Sequence, residues 1–318
     1  MQIQLSEHFS YKKLLRFTLP SIIMMVFTSI YGVVDGFFVS NYVGKTPFAA
    51  VNLIMPFLMV LGTIGFMFGT GGSALIAKTL GEGKSQKARE TFTLIVWVSA
   101  VCGLVLAVAG IALLRPVAML LGARERLLED CILYGRVILL ALPFFILQFE
   151  FQCLFATAGK PRLGLGITVA AGLTNMALDA LFVAVLSWGL AGAAAATAFS
   201  QLVGGLIPLI YFGRENTSLL RFVKCRFDGN ALWKTCSNGA SELMGNISMS
   251  LVSMLYNLQL MKYAGADGIA AYGVLMYLSM IFQAIFMGYS VGVAPVVGYH
   301  YGAQNHGELK NLLRRSLL

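Results

Sequence analysis

The chain has 318 residues, 58% hydrophobic and only 12% charged, with a formal net charge of +9. Soluble domains carry about 25% charged residues, and the mean hydropathy of +0.78 excludes one here. The basic excess is no argument for nucleic acid, because Lys and Arg sit in short loops between apolar runs, the pattern set by orientation in a membrane. Several runs exceed the ~20 residues a helix needs to cross the hydrocarbon core. They are continuous rather than alternating, which excludes a lipid-spanning barrel. The expected class is an all-α polytopic membrane protein.

Eight spans are predicted in chain order: 14–43, 47–77, 91–113, 131–157, 163–187, 189–213, 233–263 and 268–299. The opening "MQIQLSEHFSYKKLLRF" has no basic n-region followed by a cleavage site, so the first span should be retained. Pro20 lies inside that span, removes a backbone hydrogen bond and should kink it; a hinge there would redirect the outer part of the span. Asp35, in "YGVVDGFFVSNYVG", is a carboxylate in an otherwise apolar run. The "GEGKS" at 81–85 lacks the first glycine of a phosphate loop, since position 78 is Lys, and no strand precedes it, so ATP binding is not expected.

Glu150, in the fourth span, reads as a snorkelling or interhelical group about ten residues from Lys160, and Arg136 lies nearer an end. "SWGLAG" joins spans five and six as a hairpin, after which 214–232 form a long polar linker. Glu242 lies in the inner part of span seven, a candidate second ion or substrate site. "GADG" at 265–268 should separate spans seven and eight, and a polar loop should follow, holding solvated His300 and His306. Cys102, Cys131, Cys153, Cys225 and Cys236 include no CxxC pair and read as reduced packing residues. No HExxH, GxSxG or metal-ligand His pair appears, so an enzyme is not expected.

Seventeen Lys and Arg fall on the side of the N-terminus and the loops at 78–90, 158–162, 214–234 and 300–318; five fall on the other. The positive-inside rule makes the first side, with the N-terminus, cytoplasmic.

Ionisable groups at membrane depth are costly and usually functional. Asp35 lies nine residues before Gly44, Asp179 eight before Ser187, and Thr197 eight after Gly189. At 1.5 Å per residue all three sit roughly 12–14 Å below the outer surface. Asn175 is one turn from Asp179 on the same helix face. Two carboxylates, an amide and a hydroxyl at one level suit a hard cation or a shared proton. Asp35, Asn175, Asp179 and Thr197 therefore form a candidate coupling site for H⁺ or Na⁺; the bland reading is a hydrogen-bond network that holds helices together.

A shift of 221 residues lays "NYVGKTPFAAVNLIMPFLMVLGTIGFMFGTGGSALIAKTLGEG" on "KYAGADGIAAYGVLMYLSMIFQAIFMGYSVGVAPVVGYHYGAQ". Gly44 meets Gly265, Met55 meets Met276, Gly71 meets Gly292 and Gly81 meets Gly302. Spans one and two thus recur as seven and eight in the same orientation, a parallel repeat about an axis along the membrane normal. The expected organisation is a six-helix lobe (1–213), a cytoplasmic linker (214–232) and the start of a second lobe (233–318), truncated after its first two helices.

"LPSIIMMVFTSIYGVVDGFFVSNYVG", "GTGGSALIAKTLGEG", "TAGKPRLGLGITVAAGLTNMALDALFV" and "GLAGAAAATAFSQ" carry a resemblance to the multidrug and toxic compound extrusion (MATE) family, nearest its bacterial DinF-like and MepA-like branch. The resemblance implies twelve helices in two six-helix lobes, of which this chain would hold eight, and export of organic cations driven by inward H⁺ or Na⁺. It implies a cation site at Asp35, Asn175, Asp179 and Thr197, bending at Pro20 and a functional acid at Glu242. The expected protein is a monomeric cation-coupled antiporter of amphiphilic cationic drugs in a bacterial cytoplasmic membrane, with no cofactor beyond the coupling ion. Two rivals stand beside it: a flippase for a lipid-linked precursor, which would want a cationic cavity, and a truncated membrane protein without transport activity. No drug-pocket residue is singled out.

Overall fold

The computed structural model describes the backbone of residues 4–317, and their side chains except at 250 and at most positions from 253 to 278. Eight helical elements follow one another: α1 (Tyr11–Phe38), α2 (Lys45–Gly81), α3 (Ser85–Leu120), α4 (Glu125–Thr157), α5 (Pro161–Asp179), α6 (Gly189–Gly213), α7 (Gly229–Gly302) and α8 (His306–Leu317). Among the described residues seven helices are long and apolar enough to cross a membrane. Two of them end in a π-helical turn, Val39–Val43 after α1 and Ala180–Val185 after α5. The first turn closes on Gly44, whose φ of +119° is open to glycine alone, and the chain then enters α2.

The first six helices bundle around α4. Every residue from Phe145 to Ala158 is buried, and α4 packs against α2, α3 and α6. A helix that is apolar all round belongs inside a bundle. The opposite case is α3, which leaves Trp97, Val101, Leu104 and Val108 exposed. Such a face is stable only against lipid, whose tails are as apolar as leucine. At the basic end a cluster of rings, Phe92, Phe151, Phe155 and Phe212, fills the core. The linker docks onto it: Leu220 and Phe222 pack against the rings, and the N–H of Val223 donates to Thr93 Oγ1 at 3.1 Å.

The second half differs from expectation in two places, after Gly302 and at His300. Residues 233–263 and 268–299 were expected as two spans, and both lie within the helical element Gly229–Gly302. It is no straight rod, which at 74 residues would be about 110 Å long. Both its ends pack on α2: Gly239 lies against Met67, and Gly302 against Lys78. Gln283 Nε2 also donates to Met249 Sδ at 2.8 Å, so α7 has two limbs that run out and back. At the break expected at "GADG" the side chains lie outside the described residues.

The expected loop after Gly302 is instead a short turn followed by helix α8. His306 opens α8 as Ser85 opens α3, at the same offset of 221. His300 was expected to be solvated and is buried, 2% exposed, at the end of α7.

The helix contacts follow the repeat. A Cβ on Gly71 of α2 would stand 2.0 Å from the carbonyl oxygen of Thr235, and one on Gly239 would stand 1.9 Å from that of Met67. Their repeat partners also meet: a Cβ on Gly292 would lie 3.1 Å from Cα of Thr18 in α1. The first limb of α7 therefore packs on α2 as α1 packs on the second limb.

Candidate cation site

The site grows out of one close crossing. A Cβ on Gly172 of α5 would fall 2.4 Å from a ring carbon of Phe27 in α1, so a larger residue there would have to displace the ring that fills the crossing. Two turns further along α5 the approach delivers Asp179 to Asp35. Asp179 is fully buried, Asn175 is 1% exposed and Asp35 7%. Thr197 Oγ1, reaching across from α6, donates to Asp35 Oδ1 at 3.4 Å. Asp35 also lies within interaction range of the Asp179 carboxylate and the Asn175 amide. The four side chains that depth counting put at one level thus converge from three helices.

Their hydrogen bonding is incomplete. Both oxygens of Asp179 and Oδ1 of Asn175 are buried without a hydrogen-bond partner among the described residues. No Lys or Arg among those residues forms an ion pair with either carboxylate. A buried charge without a partner costs several kcal/mol, so this arrangement calls for a positive charge. Two carboxylates, an amide oxygen and a hydroxyl are hard oxygen donors, suited to an alkali cation or to a proton shared between the acids. Among the described residues no three His, Cys, Asp or Glu side chains converge, so the charged donors are these two alone.

The backbone changes form beside both acids. The N–H of Val39 bonds to the carbonyl of Asp35 as the π-turn begins, and Asp179 is the last α-helical residue before the π-turn of α5. The two π-turns touch each other. Such turns are rare and concentrate at functional sites, where they re-aim side chains.

Sequence reading missed Tyr134. It is fully buried on α4, its hydroxyl has no hydrogen-bond partner among the described residues, and it stands in range of Asp35 and Thr197. Depth counting could not have found it: the predicted fourth span begins at 131, three residues before Tyr134, whereas α4 begins at Glu125 and puts it nine residues in. Below the acids the polar groups continue toward the basic end. Tyr31 meets Gln148, and Gln148, Gln152 and Gln201 are all buried with unbonded side-chain atoms.

The other singled-out residues stand apart. Glu242 is half-buried on α7, in range of Cys153 on α4, and does not join the acid pair. Pro20 is buried, and α1 is helical through it. Glu150 does not snorkel to Lys160. It is fully buried and accepts a hydrogen bond from Ser99 of α3, the interhelical role.

Residues 20–181 and 243–318 match the family model described as MatE. The chain is 29% identical over 306 residues to the multidrug export protein MepA of Staphylococcus haemolyticus, covering 96% of this chain and 67% of that protein. Against MepA of Staphylococcus aureus strain MRSA252 it is 26% identical over 310 residues, covering 97% and 68%. Among solved structures, a crystal structure of MATE in complex with MaD3S superposes with a TM-score of 0.91 at 22% identity, covering 98% of this chain and 70% of that one. A crystal structure of MATE in the bent conformation gives 0.88 at the same identity, covering 96% and 69%.

Proposed function

The chain belongs to the MatE family, and from that premise we propose that it is a cation-coupled antiporter that exports amphiphilic organic cations. The relatives named for multidrug export support the direction and breadth of transport. The observation that carries the coupling role is the pair of buried carboxylates, Asp35 and Asp179, with both oxygens of Asp179 unbonded and no Lys or Arg paired with either acid among the described residues.

In this reading an incoming H⁺ or Na⁺ is the positive charge the pair lacks. Asp35 and Asp179 supply its charge partners, while Asn175 Oδ1 and Thr197 Oγ1 complete its oxygen shell. Loading the ion removes the repulsion between α1 and α5, and unloading restores it. Coupling requires that one arrangement of the helices hold the ion better than the other. Pro20 supplies a weak point in α1 at which the segment bearing Asp35 can turn. Glu242, on the limb of α7 facing α4, is a second point for positive charge, either ion or substrate. The basic end faces the cytoplasm, by the asymmetry of Lys and Arg.

A flippase of lipid-linked precursors would need positive charge within the bundle. The buried carboxylates of the helices, Asp35, Glu150 and Asp179, argue for cations instead.

The test is efflux of a fluorescent organic cation from cells or proteoliposomes, comparing the chain with Asp35→Asn and Asp179→Asn. Each substitution keeps the shape and removes the charge, so each should abolish ion-driven efflux while the protein remains in the membrane. Normal efflux in either variant would overturn the coupling role. Collapsing the proton and sodium gradients in turn identifies the ion.

A further inference from the structure

A second charged site, of the opposite sign, lies at the basic end where α2, α3 and α7 meet. A recess of about 130 Å³ is lined there by Lys78, Lys84, Lys87 and Lys234, with Glu82 and Asp228 as its acids. Both acids are already engaged. Glu82 accepts from Lys84 at 2.8 Å and stands 3.9 Å from Lys78. The hydrogen bond from Lys84 and the fields of Lys78 and Lys87 hold its carboxyl below the usual range. Asp228 caps α7, accepting from the N–H groups of Asn230 and Ala231 at 3.1 Å. Four ammonium groups against two carboxylates leave positive charge in excess. Among the described residues Lys87 and Lys234 form no salt bridge. The N-terminus of α3, beside them, has no side-chain cap, and its positive dipole end adds to the field.

The recess opens onto a second space. Lys78 and Lys234 also line a groove of about 630 Å³ between α2 and the two limbs of α7, whose walls include Leu75, Val293 and Val297. Polar mouth and apolar groove therefore share two lysines. Trp233 and Tyr301 are 74% and 60% exposed at this level. Such aromatic residues gather at the membrane–water interface, which puts the four lysines at headgroup depth. A free anion could use the recess alone. An amphiphile with an anionic head and a hydrocarbon tail uses recess and groove together, and in a bilayer the abundant molecule of that kind is an anionic phospholipid.

We propose that the recess and groove form a binding site for one anionic phospholipid, its phosphate held by Lys78, Lys87 and Lys234 and an acyl chain lying between α2 and α7. The chemistry is that of basic pockets between helix ends, where lysines meet anionic headgroups. The site is independent of the coupling role given to Asp35 and Asp179. Its occupant would bridge α2 to both limbs of α7, tying the two repeats together at this end.

The test is binding, not transport. The full chain, purified in a neutral detergent, is titrated with dioleoyl phosphatidylglycerol, dioleoyl phosphatidylcholine or glycerol phosphate, and bound lipid is counted by native mass spectrometry. Phosphatidylglycerol should bind in preference to phosphatidylcholine, and glycerol phosphate should not displace it. The double variant Lys87→Ala/Lys234→Ala should weaken phosphatidylglycerol binding roughly 30-fold, the effect of removing two lysines at the membrane surface. Lys87→Arg/Lys234→Arg should restore it, which separates loss of charge from loss of fold. Lys45→Ala, at the opposite end, should change nothing. Equal binding of the two lipids, or unchanged affinity in the Ala/Ala variant, would overturn the site. Full displacement by glycerol phosphate would overturn the lipid and leave a soluble anion as occupant.

Discussion

Gly81 and Gly302 are two halves of one contact. A Cβ on Gly81 would fall 2.0 Å from the carbonyl oxygen of Tyr299, and a Cβ on Gly302 would fall 2.0 Å from that of Lys78. Tyr299 stands at the repeat position of Lys78, as Gly302 stands at that of Gly81, so the crossing of α2 and α7 maps onto itself. Backbone meets backbone here, and no side chain can move aside. Gly81→Ala and Gly302→Ala should each lower stability by about 1–3 kcal/mol, the usual cost of overpacking. Gly32, inside α1 where an added Cβ meets nothing within 4 Å, is the control, and Gly32→Ala should leave stability unchanged or raise it by up to about 1 kcal/mol. Thermal unfolding in detergent checks this; an unchanged midpoint for Gly81→Ala would refute the close crossing.

The hydroxyls beside the acid pair should tune ion affinity without being essential. Thr197→Val removes the donor to Asp35 Oδ1 and keeps the shape. A hydrogen bond to a charged group contributes about 1.5 kcal/mol at its weak end, so the half-saturating concentration of the driving ion should rise roughly tenfold. Tyr134→Phe removes a hydroxyl that has no partner among the described residues. It should shift the same quantity if Tyr134 completes the shell around the ion. Efflux rate against ion concentration distinguishes these effects from loss of protein.

Glu150 gives a prediction about stability alone. Glu150→Gln keeps an acceptor for Ser99 and should be well tolerated. Glu150→Ala opens a cavity against α2 and α3 and should cost roughly 2–4 kcal/mol. Ser99→Ala leaves a buried carboxyl oxygen unbonded, at about 1–3 kcal/mol. A double-mutant cycle read by thermal unfolding should give a coupling between the two positions. Strict additivity would show that the contact contributes nothing.

The N-terminal segment should release in acid. Glu308 of α8 accepts from the N–H of Phe9 at 2.9 Å, from His8 at 2.6 Å and from Asn311 at 2.8 Å. Burial opposes its charge, but these donors outweigh burial and hold the carboxyl below its ordinary 4.5. A carboxyl lowered in the folded state contributes stability that is complete above its unfolded pKa. That stability is lost as pH falls through the lower native value. The hydrogen-exchange protection factor at Phe9, the intrinsic exchange rate at each pH divided by the observed one, should therefore stay high near neutrality and fall in acid below 4.5. In Glu308→Gln it should be lower at neutral pH and nearly independent of pH. Equal pH dependence in the two proteins would contradict this reading.

The sites differ in how much of them could be read ahead. Asp35, Asn175, Asp179 and Thr197 were legible because span ends fix depth, and depth is a one-dimensional quantity that residue counting measures. Tyr134 was not legible, because the predicted fourth span begins at 131 and leaves it only three residues deep, and because tyrosine is common in apolar cores; α4 starts a turn and a half earlier, at Glu125. For Glu150 the sequence leaves a snorkelling and an interhelical role open, because distance to Lys160 along one helix says nothing of which neighbour the side chain faces; that neighbour is Ser99 of α3. His300 reads as loop because the predicted span ends at 299, and its burial against Leu5 and Glu7 is a contact between residues almost 300 positions apart.

By itself the sequence determined the medium, the spans, the parallel repeat and the level at which polar groups are buried. These follow from hydrophobicity and from rise per residue, which are local properties of the chain. Tertiary structure decided which groups meet: Asp179 with Asp35 through the close approach at Gly172, and Gly81 with Gly302 through the fold-back of α7. It also gathered Lys78, Lys87 and Lys234 around one recess. Such meetings depend on helix rotation and crossing. Those are set by the packing of small residues and rings between helices, which depends on both partners at once and on neither sequence segment alone.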